Sequence, residues 1–367
     1  MEDKFVNQIQ AESTAEYNEL GMKLFGEENY SDACIALERA IEINDNPELR
    51  LQVMNNLGNC YVELQKYNEA IEILEQASKF EVDQKQYALT LNNLGTAYQV
   101  KGDFDKAMTI FQRACVVDSD NLVVLHALGV NFSKTGEYDL ALEVFEKILS
   151  SKELDANQKM ITLTSKGNCF LFKKPPEYTK ALECYSTVIE LAPDDSVVLY
   201  YLAKCYEQIG KKGEAIAKVE KYFEAHPLNK RNLRLLNKLA TLYITNKMWE
   251  DAEKNISKVT DQFIDRNYWE ETFAWSRLFS RLAQHFSHQG NNEKALFYFD
   301  RAIFWNDQNS YAHTYYALHY LKMNDIENFN VYKQKALDTA KGSKNKALHK
   351  NILELIESYK NEILTRK

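Results

Sequence analysis

The chain has 367 residues, of which 27% are charged and 12% aromatic, and its formal net charge is −8. Only 5 prolines and 12 glycines indicate a helix-rich protein without long loops. No apolar stretch reaches the roughly 18 residues that a spanning helix needs. The segment Met1–Phe5 lacks the basic and apolar regions of a signal peptide. We therefore expect a cytoplasmic protein without membrane insertion.

A short motif recurs from near the N-terminus onward. It reads Leu-Gly-x-x-Tyr or Leu-Gly-x-x-Phe, then an aromatic residue and Ala-x-x-x-Leu or Ala-x-x-x-Phe, most clearly in the copies that begin at Leu57, Leu94 and Leu128. The small residue of this motif is, in chain order, Gly21, Gly58, Gly95, Gly129, Gly167, Ala203, Ala240, Ala283 and Ala317. An alanine follows twelve residues later at Ala33, Ala70, Ala107, Ala141, Ala215, Ala252 and Ala295, with Ala181 in the fifth copy and Phe329 in the ninth.

These positions predict a series of antiparallel helix pairs. Glycine or alanine on both helices of a pair lets the two backbones approach closely, and the larger residues fill the space between neighbouring pairs. Glycines seven residues beyond the small position indicate turns with a positive φ; they are Gly102, Gly136, Gly210 and Gly290. Pro193 and Pro227 should each end a second helix.

The pattern resembles the tetratricopeptide repeat family over residues 14–343. The resemblance implies an all-α fold, a right-handed α-solenoid of about eight to nine helix pairs whose first helices line a concave groove. The copies are expected at about 14–47, 51–84, 88–121, 122–155, 160–193, 196–229, 233–266, 276–309 and a degenerate 310–343. A short segment, 1–13, precedes them. Residues 344–367 are predicted to form a capping helix with apolar residues at helical spacing, namely Leu348, Ile352, Leu355, Ile356 and Tyr359.

Two stretches depart from the plain repeat. Residues 260–275 contain five aromatic residues, Phe263, Tyr268, Trp269, Phe273 and Trp275. They predict either a longer helix pair that buries extra rings or an aromatic contact site for a partner. The C-terminal helix has a similar alternative, because it could anchor another protein instead of covering the end of the array.

Catalytic and metal-binding patterns are not found. The 6 cysteines occupy repeat positions, where they are expected to act as small buried apolar residues. His285 and His288 are three residues apart but have no evident third ligand. The glycines occur singly and form no phosphate-binding loop. We therefore predict a protein that is not an enzyme and that has neither a cofactor nor a metal site.

The residues beside the small position of each first helix are the candidate binding residues. In the family these residues face the groove, and an asparagine amide there can donate to and accept from the backbone of an extended peptide. The alternative is that the amides bond only to neighbouring helices or to water. In the first half of the chain these residues are Asn55, Asn56, Asn59, Asn92, Asn93, Thr96, His126 and Asn168.

Farther along the chain the equivalent positions become basic. They are Tyr200, Lys204, Arg234, Asn237, Lys238, Arg277 and Arg281. Residues 1–190 carry a charge balance of −13 and residues 191–367 a balance of +5. A cationic end would favour an acidic partner segment, although ordinary solvated lysines and arginines would give the same pattern. The Lys-x-x-x-Asn motif of the family's chaperone-tail clamp is replaced here by Asn18 and Met22.

The leading hypothesis is a non-catalytic scaffold or adaptor that binds an extended or helical segment of a partner protein in the groove. A peptide-sensing regulator is an alternative, but the 13 residues before the first copy are too few for an effector domain. An RNA-binding repeat protein is less favoured, because the sequence pI is about 5.6. Homo-oligomerisation stays open, as does the use of the concave or the convex surface.

Overall fold

The computed structural model describes residues 12–80, 83–259, 269–343 and 347–365, and the regular secondary structure of these ranges is helical. The chain divides into two compact units, Met1–Leu191 and Ala192–Lys367. The first unit contains α1 (Thr14–Gly26), α2 (Tyr30–Ile43), α3 (Pro47–Glu63), α4 (Tyr67–Ala77), α5 (Gln84–Lys101), α6 (Phe104–Val117), α7 (Leu122–Thr135), α8 (Tyr138–Leu149), α9 (Ala156–Phe172) and α10 (Tyr178–Leu191).

The second unit continues the series of helices. It contains α11 (Ser196–Gln208), α12 (Lys212–Ala225), α13 (Leu233–Thr245), α14 (Trp249–Ile256), α15 (Trp269–Gln289), α16 (Asn292–Trp305), α17 (Ser310–Lys322), α18 (Ile326–Lys341) and α19 (Leu348–Thr365), with a 3-10 turn at Lys230–Asn232 before α13. In both units each odd-numbered helix up to α17 packs against the helix that follows it. The predicted all-α solenoid of helix pairs is therefore confirmed.

The close approach within a pair follows from the small residue of the first helix. A Cβ atom added at Gly95 would lie 2.6 Å from Cε1 of Phe111, and one added at Gly58 would lie 2.6 Å from Cγ of Leu74. Both distances are below van der Waals contact, so a side chain there would force the helices apart. Phe111 and Leu74 are themselves fully buried, and each fills the space that the missing side chain leaves.

The turn uses a left-handed residue in eight of the nine pairs, whereas no residue between α9 and α10 has a positive φ. Gly102 and Gly136 adopt φ values of 93° and 88°, as their spacing from the small residue predicts. The structure adds that the same turn position is left-handed where it is not glycine, in the first, second, seventh and ninth copies. These residues are Glu28, Gln65, Lys247 and Asn324, with φ between 60° and 62°.

The interior of each unit is built from the residues that the motif repeats. In the first unit Phe111, Phe145 and Tyr185 are completely buried. In the second unit Trp275 and Tyr316 are 1% and 2% exposed. Helix α10 ends at Leu191 and α12 at Ala225, each two residues before the proline that the sequence analysis assigned to the helix end.

The two irregular stretches are accounted for in part. Phe263 and Tyr268, and the side chain of Trp269, lie outside the described residues, whereas α15 is a long helix of 21 residues that buries Trp275. Helix α19 buries Ile352 and Ile356 against a cluster that includes Phe329 of α18. The burial explains the apolar spacing of this helix.

The cysteines behave as apolar residues of the interior. All six are free thiols, and all except Cys115 are buried. Burial raises the pKa of Cys184 to about 11. Its thiol is therefore protonated near neutral pH and is a poor nucleophile.

Candidate functional site

The predicted binding residues lie on the first helices of the pairs. In the first unit these helices are α3, α5, α7 and α9, and in the second unit α11, α13 and α15. We call the side of each first helix that carries these residues the first-helix face. Each unit has its own first-helix face, and the two are described separately.

Asparagines on neighbouring first helices of the first unit are hydrogen-bonded to each other. The Nδ2 group of Asn56 donates to Oδ1 of Asn18 over 3.0 Å. In the next pair of helices, Nδ2 of Asn93 donates to Oδ1 of Asn55 over 3.1 Å. We call these four residues the amide ladder. The bonds fix the rotamers of the ladder residues and connect three consecutive first helices.

The ladder follows a register rule. The residue two before the small position of one first helix bonds to the residue three before the small position of the preceding first helix. His126 and Ser165 obey the same rule, with His126 Nε2 lying 3.0 Å from Ser165 Oγ. Burial lowers the pKa of His126. Between Asn92 and Ala127 the rule fails, because Ala127 has no polar group and Oδ1 of Asn92 is buried without a hydrogen-bond partner.

A groove of about 310 Å³ opens over the ladder, and its lining includes Asn55, Asn56 and Asn93. Each of Asn56 and Asn93 uses one N–H of its amide in the ladder. Their second N–H and their Oδ1 make no intrachain hydrogen bond within the described part of the chain. A carboxamide has two donors and one acceptor oxygen, so both residues retain capacity for a ligand. These asparagines can therefore bond to neighbouring helices and still bind a ligand, so the two hypotheses of the sequence analysis are compatible.

The remaining predicted residues of the first unit have different surroundings. Asn59 is exposed, Thr96 Oγ1 donates to the backbone oxygen of Asn92 over 2.9 Å, and Asn168 accepts a hydrogen bond of 2.7 Å from the hydroxyl of Tyr185. Of these three, Asn59 is exposed to solvent, the Thr96 bond lies within α5, and the Asn168 bond joins α9 to α10.

A row of exposed apolar side chains, which the sequence did not predict, lies on the same face. Leu89, Val123 and Ile161 lie six residues before the small position of α5, α7 and α9 and are 44%, 49% and 46% exposed. Val123 and Ile161 also line a cavity of about 170 Å³ beside His126. Their register was visible in the sequence, but their exposure was not, because apolar residues in a helix are more often buried.

In the second unit, two of the predicted cations already have partners. Lys238 is 9% exposed and forms a salt bridge with Glu207. The guanidinium of Arg234 lies 4.4 Å from the ring centroid of Tyr200 and 5.8 Å from that of Tyr201. The charge of Lys238 is therefore compensated inside the chain, and Asn237 beside it is partly buried, with a buried Nδ2 group that lacks a hydrogen-bond partner. Lys204 is partly buried.

Arg277 and Arg281 differ from these cations. Both are exposed, on successive turns of α15, and both line a pocket of about 450 Å³ together with Ser280, Tyr311 and Tyr315. Within the described ranges neither arginine forms a salt bridge; Arg277 lies 5.9 Å above the ring of Phe273. We call this feature the arginine pocket.

The histidine pair of α15 gives no metal site. The ring of His285 stacks on Trp249 with 4.1 Å between centroids, and no cluster of three potential ligands occurs among the residues that the structure describes. In the same part of the chain, none of the helices has the length and apolarity required to cross a membrane.

Models of known protein families match parts of the chain in which the repeated motif occurs. Two family models described as Tetratricopeptide repeat match residues 12–80 and 88–117. A model described as Regulator of microtubule dynamics protein 1-3 matches residues 158–247. No curated protein matches the chain.

The chain is similar to several solved structures at low sequence identity. A tetratricopeptide repeat protein from Parabacteroides merdae is 19% identical and covers 73% of this chain and 99% of its own, with a TM-score of 0.50. A thermophilic repeat protein of Thermus thermophilus is 20% identical over 53% of this chain and 98% of its own, with a TM-score of 0.43. The C-terminal part of a repeat protein from Cytophaga hutchinsonii covers 80% of this chain and 97% of its own at 19% identity and a TM-score of 0.42.

Proposed function

Because the chain is a tetratricopeptide repeat protein, we propose that it is a non-catalytic scaffold that binds a segment of a partner protein on its first-helix faces. The observation that carries this proposal is the groove over the amide ladder. Its lining contains amides whose orientation is fixed and whose hydrogen-bonding groups are partly unused, and exposed apolar side chains lie beside them. A peptide needs both kinds of contact, since its backbone is polar and its side chains can be apolar.

In the first unit, Asn56 and Asn93 would bond to the backbone of the peptide. The intrachain bonds to Asn18 and Asn55 already hold their rotamers, so less side-chain entropy is lost on binding. Leu89, close to both on the groove wall, would contact an apolar side chain of the partner. Backbone contacts would supply affinity, and the apolar row would supply sequence preference.

In the second unit, the arginine pocket would receive an acidic part of a partner. Arg277 and Arg281 are exposed and form no salt bridge in the described ranges, whereas Arg234, which is also exposed, lies over the ring of Tyr200. Hydrogen bonds between guanidinium and an anion are stronger than neutral ones. Lys238 would contribute less to the binding of an anion, since its charge is paired with Glu207.

Peptide selection followed by calorimetry tests the ladder. Peptides selected from a displayed random library against the wild-type chain are titrated into Asn56→Ala with Asn93→Ala. Each lost hydrogen bond should cost about 0.5–1.5 kcal/mol, so the loss of one bond at each asparagine should lower the affinity about 5- to 150-fold. Asn330→Ala with Asn351→Ala, two exposed asparagines of α18 and α19, is the matched control. Undiminished affinity of the ladder variant would contradict the role of the amides.

A second candidate function rests on a different observation. The model for regulators of microtubule dynamics matches residues 158–247, which include Arg234 on the first-helix face. On this hypothesis the partner is the microtubule. The wild-type chain should then sediment with stabilised microtubules, whereas the Arg234→Glu variant should stay in the supernatant. The control variant Arg231→Glu, which changes an exposed neighbouring residue, should still sediment with them. A wild-type chain that stays in the supernatant would eliminate this candidate.

A further inference from the structure

The arginine pocket has the composition of an anion site. It lies between α15, which supplies Arg277, Ser280 and Arg281, and the start of α17, which supplies Tyr311. The side chains that line it are aromatic, basic or neutral polar, and none of the described lining residues is acidic. Its volume of about 450 Å³ is large enough for a side chain with a charged group at its end.

Three positive features converge on this space. Arg277 and Arg281 are one helical turn apart, so their side chains emerge on the same side of α15. Like charges at this spacing weaken a helix unless a counter-charge lies between them. The N-terminus of α17 also borders the pocket, because Asn309 caps it by accepting a 3.2 Å hydrogen bond from the N–H of Ala312. The positive end of the α17 dipole adds to the field of the two guanidinium groups.

The donors of the pocket outnumber what a single carboxylate can accept. Each guanidinium carries five N–H donors and no acceptor, and one carboxylate pairs in bidentate fashion with only one guanidinium. A phosphoryl group on a side chain carries a charge of about −1.5 to −2 at pH 7 and three acceptor oxygens. It can therefore bridge Arg277 and Arg281, with the hydroxyls of Ser280, Tyr311 and Tyr315 as further donors.

We propose that the arginine pocket binds a phosphorylated side chain of a partner segment. This inference rests on the proposed scaffold function and narrows it, since it makes recognition in the second unit depend on phosphorylation. The rings of Tyr311 and Tyr315 would lie against the stem of the phosphorylated residue. Tyr311 is 46% exposed, so its ring is available for this contact.

Bead-bound peptide libraries test the inference with the intact chain. Each library has random flanks around one fixed residue, and the fixed residues are phosphoserine, phosphotyrosine, serine, tyrosine and glutamate. At least one phosphorylated library should retain the chain about tenfold more than its unphosphorylated counterpart and than the glutamate library. Arg277→Gln with Arg281→Gln should remove this preference. Arg231→Gln, which removes the charge of an exposed arginine of the same unit, should preserve it.

The outcomes separate this inference from the scaffold function. Equal retention by the glutamate and phosphorylated libraries, with both lost in the double variant, would overturn phosphate recognition and keep acidic-peptide binding. A phosphate preference that survives in the double variant would place the site elsewhere and overturn the inference. Cosedimentation of the wild-type chain, but not of the double variant, with phosphoinositide vesicles, together with retention by no peptide library, would overturn both proposals. Circular dichroism of each variant, with an unchanged helical signal expected, shows that a loss of binding is not a loss of folding.

Discussion

Single residues set the spacing of each helix pair, and Gly95 shows how. Its missing side chain is the volume that the ring of Phe111 occupies, with 2.6 Å between Cε1 of that ring and a hypothetical Cβ. The sequence predicted a close contact at this position. The identity of the residue that fills the space, sixteen positions farther along, became clear only from the packing.

Gly95→Ala should therefore destabilise the first unit by about 1–3 kcal/mol, the usual cost of overpacking a core. The matched substitution is Gly213→Ala in α12, where nothing lies within 4 Å of the added Cβ. That variant should be neutral or more stable by up to about 1 kcal/mol, because alanine lowers the entropy of the unfolded chain. Urea denaturation measures both, and equal effects of the two substitutions would contradict the packing argument.

A buried imidazole should make the stability of the second unit depend on pH. His319 is 1% exposed, and its Nδ1 lies 2.8 Å from Oγ of Ser287. Burial, together with the charge of Lys322, lowers the pKa of His319 from 6.5 to about 4. The native protein therefore holds this ring neutral at pH values where the unfolded chain already binds a proton.

The sign of the pH dependence follows from linkage. Between pH 6.5 and about 4 the unfolded state binds more protons at His319, so stability should fall as the pH is lowered through this window. The loss is up to about 3 kcal/mol, at about 1.4 kcal/mol for each pKa unit. His319→Gln should flatten the slope of unfolding free energy against pH, and His288→Gln, at an exposed site on α15, should leave it unchanged. An unaltered slope in His319→Gln would refute the assignment.

At the scale of helices, the amide ladder shows how first helices are joined across neighbouring pairs. The ladder bonds follow one register between successive first helices, and Asn92 is the place where the partner is missing. Its Oδ1 is buried and unsatisfied, and the register rule places Ala127 opposite it. An unsatisfied buried carbonyl is costly, and α5 and α7 lack the register bond that the neighbouring first helices have, although Gln99 Nε2 donates to Asn131 Oδ1 between them over 3.2 Å.

Ala127→Asn should restore the missing bond. In a double-mutant cycle with Asn92→Ala, the two positions should show a favourable coupling of about 0.5–1.5 kcal/mol, the value of one hydrogen bond. The cost of the lower helix propensity of asparagine cancels in the cycle, because Ala127→Asn is made in both backgrounds. Stability from urea unfolding is the measurement, and a coupling of zero would show that the register rule does not extend to this pair.

At the scale of the whole molecule, the boundary between the compact units coincides with a change in charge. The first unit ends at Leu191, which is uncharged, so the sequence balances of −13 and +5 belong to the first and second units. An acidic ligand of the arginine pocket is therefore attracted by one unit and repelled by the other. Because its net charge is −8, the chain as a whole repels an acidic ligand.

The isolated second unit, residues 192–367, should therefore associate with an acidic peptide faster than the full chain does at low ionic strength. The difference should vanish near 0.5 M salt, where screening removes long-range forces. Stopped-flow fluorescence at several salt concentrations measures this, after circular dichroism has shown that the fragment is helical. Equal association rates at low salt would mean that the charge of the first unit is without effect on the ligand.

Much of the fold was predictable because the repeat is local. Gly95, the alanine twelve residues later and the turn residue Gly102 lie within one helix pair, and their backbone requirements are visible in any single copy. The candidate site was less predictable. Asn93 and Lys238 occupy equivalent positions, yet one keeps unused hydrogen-bonding groups over a groove and the other is neutralised by Glu207. The difference comes from residues about 30 to 40 positions away, which the motif does not contain.

The sequence by itself therefore determined the helix pairs, their close contacts and the left-handed turns at glycine, since these depend on residues a few positions apart. Only the tertiary structure decided which polar side chains on the first helices remain available. It joined the asparagines into a ladder, left Oδ1 of Asn92 without a partner and kept Arg277 and Arg281 exposed beside a pocket. Availability depends on the neighbouring first helix, and the distance between those helices exists only once the pairs have stacked.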